Sequence, residues 1–372
     1  MDAGRRALRV LFVANDGFSA GHVARALAIA RGLSRRAPRR NVELRLLLAT
    51  TSEAHSLLGG EELVVVRLPP PQAARRAGFS DQERRRIVRG ALEGVADSFA
   101  PDLIVADTFP SGPHGELAGI GVGRARRALV RRSLPEKSSG DEILTSGLLD
   151  YDVAIIADDP FRCPVELPIR VVRVPPVTRG EACDAMGRDA ARATLGLRAE
   201  GRVVLVAAGG GGDEDAVLRA TSIAQTIRRV APEVTVALAL GPLVLRPDAE
   251  PRSTELGVRI VRAAPLQPLL AAFDGAFAPA GYNTAHELAK AGVVTALFAQ
   301  PRPFDDQAAR AARFASSSLA MAIDAFDDGA IDSALAWMKT APRPAIEAGG
   351  ADRAADALIE LVMGPDRERA AK

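Results

Sequence analysis

The chain has 372 residues, long for one hydrophobic core, so two domains are expected. Hydrophobic residues make up 48% and charged residues 25%, an ordinary globular balance, and no apolar run approaches the roughly 18 residues that a membrane-spanning helix needs. Aromatic residues are 4% and no recognition-helix or stacking motif occurs, which argues against a nucleic-acid ligand.

The net charge of +2 is unevenly spread. Residues 1–173 hold 26 basic and 21 acidic side chains, net +5, and the remainder 22 and 25, net −3. The first half would therefore be the one to face an anionic partner, such as a phospholipid surface or a lipid-linked phosphate. Only four of the 48 basic residues are Lys, so an arginine-rich solvated surface explains the same counts. Arg5 and Arg6 ahead of residues 7–14 imitate a signal peptide, but Arg9 interrupts the run, Asp16 follows and no small-residue cleavage site appears. With only Cys163 and Cys183, a cytoplasmic setting without a disulfide framework is expected.

Residues 8–14 read as a first strand and 20–33 as an amphipathic helix, with Val23, Ala26, Leu27 and Ala30 on its apolar side. Apolar strands and helical stretches alternate through 42–49, 63–68, a charged helix at 80–97, 103–106, 128–132, 153–157 and 169–174. This βαβ order implies a parallel sheet covered on both faces. The pattern then restarts, since 202–207 repeats the form of 9–14, and each strand is followed by a glycine-bearing loop and a helix. Two doubly wound, Rossmann-like domains facing across a cleft are expected, divided at 174/175 where Pro175, Pro176 and Gly180 break regular structure. The terminal helix, about residues 351–362, has one apolar face with which to pack back across that boundary.

The chemistry concentrates in residues 277–307. An apolar run at 273–279 breaks at Gly281 and gives way to a helix at Thr284, and a helix so entered offers unpaired N–H groups to a diphosphate. Glu287, one turn in, could hold a ribose hydroxyl; equally, Thr284 and Glu287 have the T-x-x-E spacing of a capping box. A second strand, 293–299, leads to a polar loop and to Asp305, Asp306 and Gln307 at the same sheet edge. Gly209, Gly210 and Gly211 follow another strand, but without dinucleotide spacing, and the acids at 213–215 open a helix where capping suits them better than metal binding. His286 and Glu287 form no zinc signature, because position 290 is Lys.

These pieces, taken with Gly21-His22 and residues 25–30, with 101–110 and 115–117, and with 280–287, resemble the two-domain GT-B glycosyltransferases. The likeness is specifically to the group around the enzyme that adds N-acetylglucosamine to the lipid-linked peptidoglycan precursor. The resemblance spans most of the chain. It implies an inverting, metal-independent, cofactor-free transferase that takes a nucleotide-sugar, UDP-sugar favoured, and works in the cytoplasm or peripherally on the inner face of the membrane. By position it implies diphosphate contacts at Gly281, Tyr282, Asn283 and Thr284, ribose at Glu287, and sugar hydroxyls at Asp306 and Gln307. It further implies base contacts from Ala263 to Leu266 and a cleft lined by the glycine loop. His22 is the first choice for the base that deprotonates the acceptor, with Asp16 and Asp107 as competitors. A sugar-nucleotide epimerase or hydrolase of the same architecture, and a non-catalytic nucleotide-sugar binder, are the alternatives. Arg124 to Arg132 reads either as an acceptor-side feature or as a solvated helix face.

Overall fold

The computed structural model describes residues 6–15, 20–59, 62–121, 123–132, 141–157, 166–180, 185–210, 214–243, 257–302 and 305–364. Asp16, Cys163, Cys183, Gly211 and Asp213 lie outside them.

Seven parallel strands form the first sheet: β1 (Arg6–Val13), β2 (Val42–Thr50), β3 (Val64–Arg67), β4 (Leu103–Asp107), β5 (Arg126–Arg132), β6 (Val153–Ala157) and β7 (Arg170–Val174). Their order is β3-β2-β1-β4-β5-β6-β7. The second sheet holds β8 (Val203–Ala207), β9 (Thr235–Ala239), β10 (Arg259–Val261), β11 (Gly275–Pro279), β12 (Thr295–Phe298) and β13 (Met321–Ala322), in the order β10-β9-β8-β11-β12-β13. Every pairing in both sheets is parallel. Both are therefore doubly wound, and each reverses direction beside its first strand, at β1/β4 and at β8/β11. Ligands of open α/β sheets bind at such reversals, outside the carboxyl ends of the strands.

The alternation of side chains along a strand explains the uninterrupted apolar runs. In β1, Val10 and Phe12 enter the core beneath the helix Gly21–Arg36, whereas Leu11 and Val13 enter the one beneath the helix Asp81–Phe99. In β8, Val203 and Leu205 face the helices Arg188–Leu195 and Tyr282–Lys290, while Val204 and Val206 face Glu214–Val230 and Asp328–Thr340. Residues 126–132 are a strand, so the reading of Arg124 to Arg132 as a helix face is corrected: Arg131 is buried and Arg132 reaches the cleft.

The terminal helix Gly350–Met363 sits on the first sheet's core. Ala351, Ala354, Ala355, Leu358 and Ile359, spaced as one helix face, join the cluster of Val23, Leu27 and Ile29. Each fully buried Leu or Ile contributes about 1.5–3 kcal/mol. Arg35 and Arg36 pair with Asp352 and Asp356 at 2.6 and 2.5 Å beside this seam. Among the described residues no helix is long and apolar enough to cross a membrane.

Candidate active site at the cleft between the sheets

The two reversals face one another across a cleft of about 680 Å³. From the first sheet, β1 runs toward the helix Gly21–Arg36, which carries Gly21, His22 and Arg25, and β4 ends at Asp107. His22 Nδ1 lies 2.5 Å from Asp107 Oδ1. Arg25 donates to the same carboxylate in a fork, Nε to Oδ2 at 2.7 Å and Nη2 to Oδ1 at 2.6 Å, and Thr108 Oγ1 adds a bond at 2.8 Å. Burial alone would raise the Asp107 carboxyl, but the Arg25 charge and the hydrogen bonds from His22 and Arg25 hold it well below the usual carboxylate range. An ionised carboxylate only accepts, so the His22 proton sits on Nδ1 and Nε2 is the basic nitrogen. Thr108, a β-branched residue, is held at φ 64°, a strained left-handed conformation next to this carboxylate. Asp107 thus lies behind His22 with both carboxylate oxygens engaged, a geometry suited to orienting the imidazole.

From the second sheet, β11 leads through Gly281 into the helix Tyr282–Lys290. Gly281 is the N-cap and no side chain caps this end. The helix therefore starts two residues before the expected Thr284, and no Thr284–Glu287 capping box forms. Glu287 instead accepts from Gln267 Nε2 at 2.5 Å through Oε2, while its Oε1 is buried without a hydrogen-bond partner. Burial pushes this carboxyl up to about 7, against the Gln267 bond and the Arg179 charge that draw it down. A buried, unfilled acceptor one turn inside an uncapped helix start is what a hydroxyl attached near a phosphate would fill.

Gly21, His22, Gly209, Gly210, Ala263, Leu266, Gly281, Tyr282, Asn283, Thr284, Glu287 and Gln307 all line the cleft. Gly209 has φ +85°, and a Cβ there would meet Pro279 at 3.2 Å, so only glycine suits this loop. Tyr282 and Asp306 are placed differently from the sequence expectation. The Tyr282 hydroxyl donates to Ala157 O at 3.3 Å and accepts from Val177 N at 3.2 Å, which buries the ring between the sheets and leaves its backbone at the helix start. Asp306 caps the helix Gln307–Ser316 by accepting from Ala309 N at 3.0 Å. The acid that lines the cleft is its neighbour Asp305, ion-paired with Arg132 of the first sheet and with Arg310 at 2.8 Å. Gln307 Oε1 accepts from Gln300 N at 3.0 Å and braces the same loop.

Arg25 and Gln267 are functional candidates without a role in the sequence reading, which has Arg132 only within the stretch Arg124 to Arg132 and Asp305 only within the polar loop after the 293–299 strand. The spacing of His22 and Arg25 on one helix face was the available signal for the first. Asn283 Nδ2 donates to Gly21 O at 3.3 Å, so the starts of two helices, Gly21–Arg36 and Tyr282–Lys290, meet in the cleft. Two positive dipole ends and the nearby Arg132 and Arg302 make this an anion-attracting region. His286, by contrast, is buried on the far side, its Nδ1 donating to Tyr282 O at 2.6 Å. Among the described residues no group of three or more His, Cys, Asp or Glu side chains could hold a metal.

No protein-family model matches the chain, and no curated protein matches it. Solved structures do. The spinosyn forosaminyltransferase SpnP is 16% identical, with a TM-score of 0.59, covering 96% of this chain and 95% of that one. A glycosyltransferase of Streptomyces sp. SF2575, SsfS6, solved with thymidine diphosphate, is 14% identical at a TM-score of 0.58, covering 96% of each. A UDP-glucosyltransferase from Polygonum tinctorium, described as capable of glucosylating indoxyl, is 14% identical at 0.63, covering 96% and 99%. The chain has the GT-B fold: two parallel Rossmann-like sheets across a cleft, over nearly the full length of these enzymes.

Proposed function

We propose that the protein is an inverting glycosyltransferase that moves a sugar from a nucleoside diphosphate to an acceptor hydroxyl. The observation that carries this reading is the pairing, across one cleft, of an oriented imidazole with an uncapped helix start: His22 on Asp107 and Arg25 on one side, Gly281 to Thr284 on the other. His22 Nε2 takes the proton from the acceptor hydroxyl as the oxygen attacks C1. The C1–O bond to the diphosphate breaks, the electron pair stays on the departing phosphate, and the helix terminus with Arg132 or Arg302 meets the developing charge. Asp107 holds the imidazole in the tautomer this requires and stabilises its protonated form. Attack from the face opposite the leaving group inverts the anomeric centre.

The donor would lie along the second sheet, with its ribose at Glu287 and its base beside Ala263 to Leu266. Asp305 and Gln307 take the place at the transferred sugar that resemblance assigned to Asp306 and Gln307. The anion is met by N–H groups and arginines, so turnover is expected to persist in a chelator. A uridine or thymidine diphosphate sugar is the favoured donor type, given the thymidine diphosphate bound to SsfS6 and the UDP-glucosyltransferase activity of the Polygonum tinctorium enzyme. The narrower likeness to peptidoglycan-precursor transferases, with a lipid-linked acceptor at the membrane, rests on the quoted sequence motifs.

Incubation with UDP-, dTDP- and GDP-sugars and a panel of hydroxyl-bearing acceptors, followed by NMR of the anomeric proton, tests the reading. The expected result is a glycoside of inverted configuration, with His22→Ala slowing turnover by about 10² or more while nucleotide still binds. Rapid release of free sugar or an epimer without acceptor would assign the site to a hydrolase or epimerase. Nucleotide binding without turnover of any donor, left intact by His22→Ala, would assign it to a binder, and unaltered turnover in His22→Ala would remove His22 as the base.

A further inference from the structure

Arg84 breaks two rules of the helix that carries it. The buried stripe of the helix Asp81–Phe99 runs through Arg84, Val88, Leu92 and Ala96, so an arginine occupies a position where the pattern asks for an apolar side chain. It also lies near the helix N-terminus, where the dipole disfavours a cation. The residue is 1% exposed. Its Nη1 donates to Pro69 O at a long 3.5 Å, while Nε and Nη2 are buried with no hydrogen-bond partner. A buried guanidinium with open donors is destabilising, and breaches of this kind concentrate where a ligand completes them.

Arg84 lines the cleft on the side of the first sheet, in a corner shared with Asn15, His114 and Glu116. Neither nearby acid hydrogen-bonds it: Asp81, which feels the Arg84 charge, pairs with Arg75 at 3.1 Å. Glu116 turns one oxygen to Asn15 Nδ2 at 2.6 Å and the other to His114 N at 2.7 Å. That bond fixes the orientation of the Asn15 amide and leaves its Oδ1 buried without a partner. Burial, and then the Arg84 charge, lower the His114 imidazole against the Glu116 and Asp81 charges, which raise it. The corner therefore offers two open cationic donors and one open acceptor, the complement of an anionic group that has an O–H or N–H beside it.

Resting on the transferase reading, we propose that Arg84 anchors an anionic group, a carboxylate or a phosphate, carried by the acceptor whose hydroxyl is presented to His22 in the same cleft. The acceptor class is then an anionic alcohol or phenol.

Calorimetric titration of the full chain with benzoate, methyl phosphate and benzamide, with and without saturating UDP to fill the diphosphate site, tests this. In the wild type one of the two anions should bind at least about tenfold more tightly than benzamide with UDP present, and the stronger of the two identifies the group. Arg84→Met should lose that preference and Arg84→Lys keep part of it, with UDP affinity the same in all three. Equal binding of benzoate, methyl phosphate and benzamide, or an anion preference that survives in Arg84→Met, would overturn the proposal. If Arg84→Met does not fold, the wild-type comparison of the anions with benzamide decides alone. Anion binding at Arg84 in a chain that binds no nucleotide would count for the anion site and against the transferase reading.

Discussion

Glu287 ties the proposed binding role to a stability signature in one side chain. Its Oε2 is fixed by Gln267 and its Oε1 has no hydrogen-bond partner, so under the proposed function a ribose hydroxyl would donate into a position already desolvated. Glu287→Ala should weaken nucleotide binding by about 1.5–3 kcal/mol, the range for a hydrogen bond to a charged group. Its carboxyl, ordinarily near 4.5, is pushed up to about 7 by burial in the unliganded protein. For an acid raised in the folded state, the stabilising contribution is complete below 4.5 and is lost as pH rises through about 7. Glu287→Gln does not titrate, so its melting temperature should gain on the wild type between pH 5 and pH 8, measured without ligand. A difference that stays constant with pH would place the carboxylate in a solvated environment. The residue types at this site were largely legible in sequence, their contacts less so. Glu287 could be read as a ligand group because a helix start precedes it, but whether it capped that helix depended on where the helix began. Of two adjacent acids, Asp305 and Asp306, one caps and one faces the cleft; composition is blind to that, because a one-residue change in the N-cap exchanges their roles. Arg84 was hidden for a related reason: within Glu83-Arg84-Arg85-Arg86 a charged run reads as solvated, and only the tertiary packing of the helix turns one of its members inward.

At the scale of elements, the clearest case is the seam between the helices Gly21–Arg36 and Gly350–Met363. Gly32 faces this seam, and a Cβ there would lie 2.6 Å from the Ala351 carbonyl oxygen and 3.2 Å from the Ala355 Cβ. In an open helix, Gly→Ala would be stabilising by about 0.5–1 kcal/mol. Here the obstacle is backbone, which cannot swing aside, and overpacking typically destabilises by about 1–3 kcal/mol. The second effect should win, so Gly32→Ala is expected to lower stability by about 1–2 kcal/mol in urea unfolding, net of the two effects. A stabilised variant would show that the terminal helix has room to move. The strands and this helix were readable because apolar runs and 3.6-residue spacing are local signals, and the restart at 202–207 exposed the second sheet. The start of the helix Tyr282–Lys290 was misplaced by two residues because Gly281 caps it with backbone alone, which leaves no side-chain signature.

Across the whole molecule, the function requires that the two sheets present their reversals to each other. Among the described residues, Tyr282, Asn283, Arg132 and Asp305 help to hold them in that relation. Tyr282 bonds Ala157 and Val177, Asn283 bonds the carbonyl of Gly21, and Arg132 pairs with Asp305. The order of strands along the chain predicted two such sheets, since each is a local repeat. The contacts that turn one toward the other join residues up to 262 positions apart, and no local pattern announces them. The central claim is that this arrangement grips an activated sugar by its diphosphate. Calorimetry with UDP, dTDP and GDP beside the matching nucleosides, in the presence of a chelator, tests it most directly. At least one diphosphate is expected to bind about 100-fold or more tightly than its nucleoside, the scale of several charge-assisted hydrogen bonds at a helix start. Equal affinity for nucleoside and diphosphate, or no binding of any nucleotide, would contradict the account.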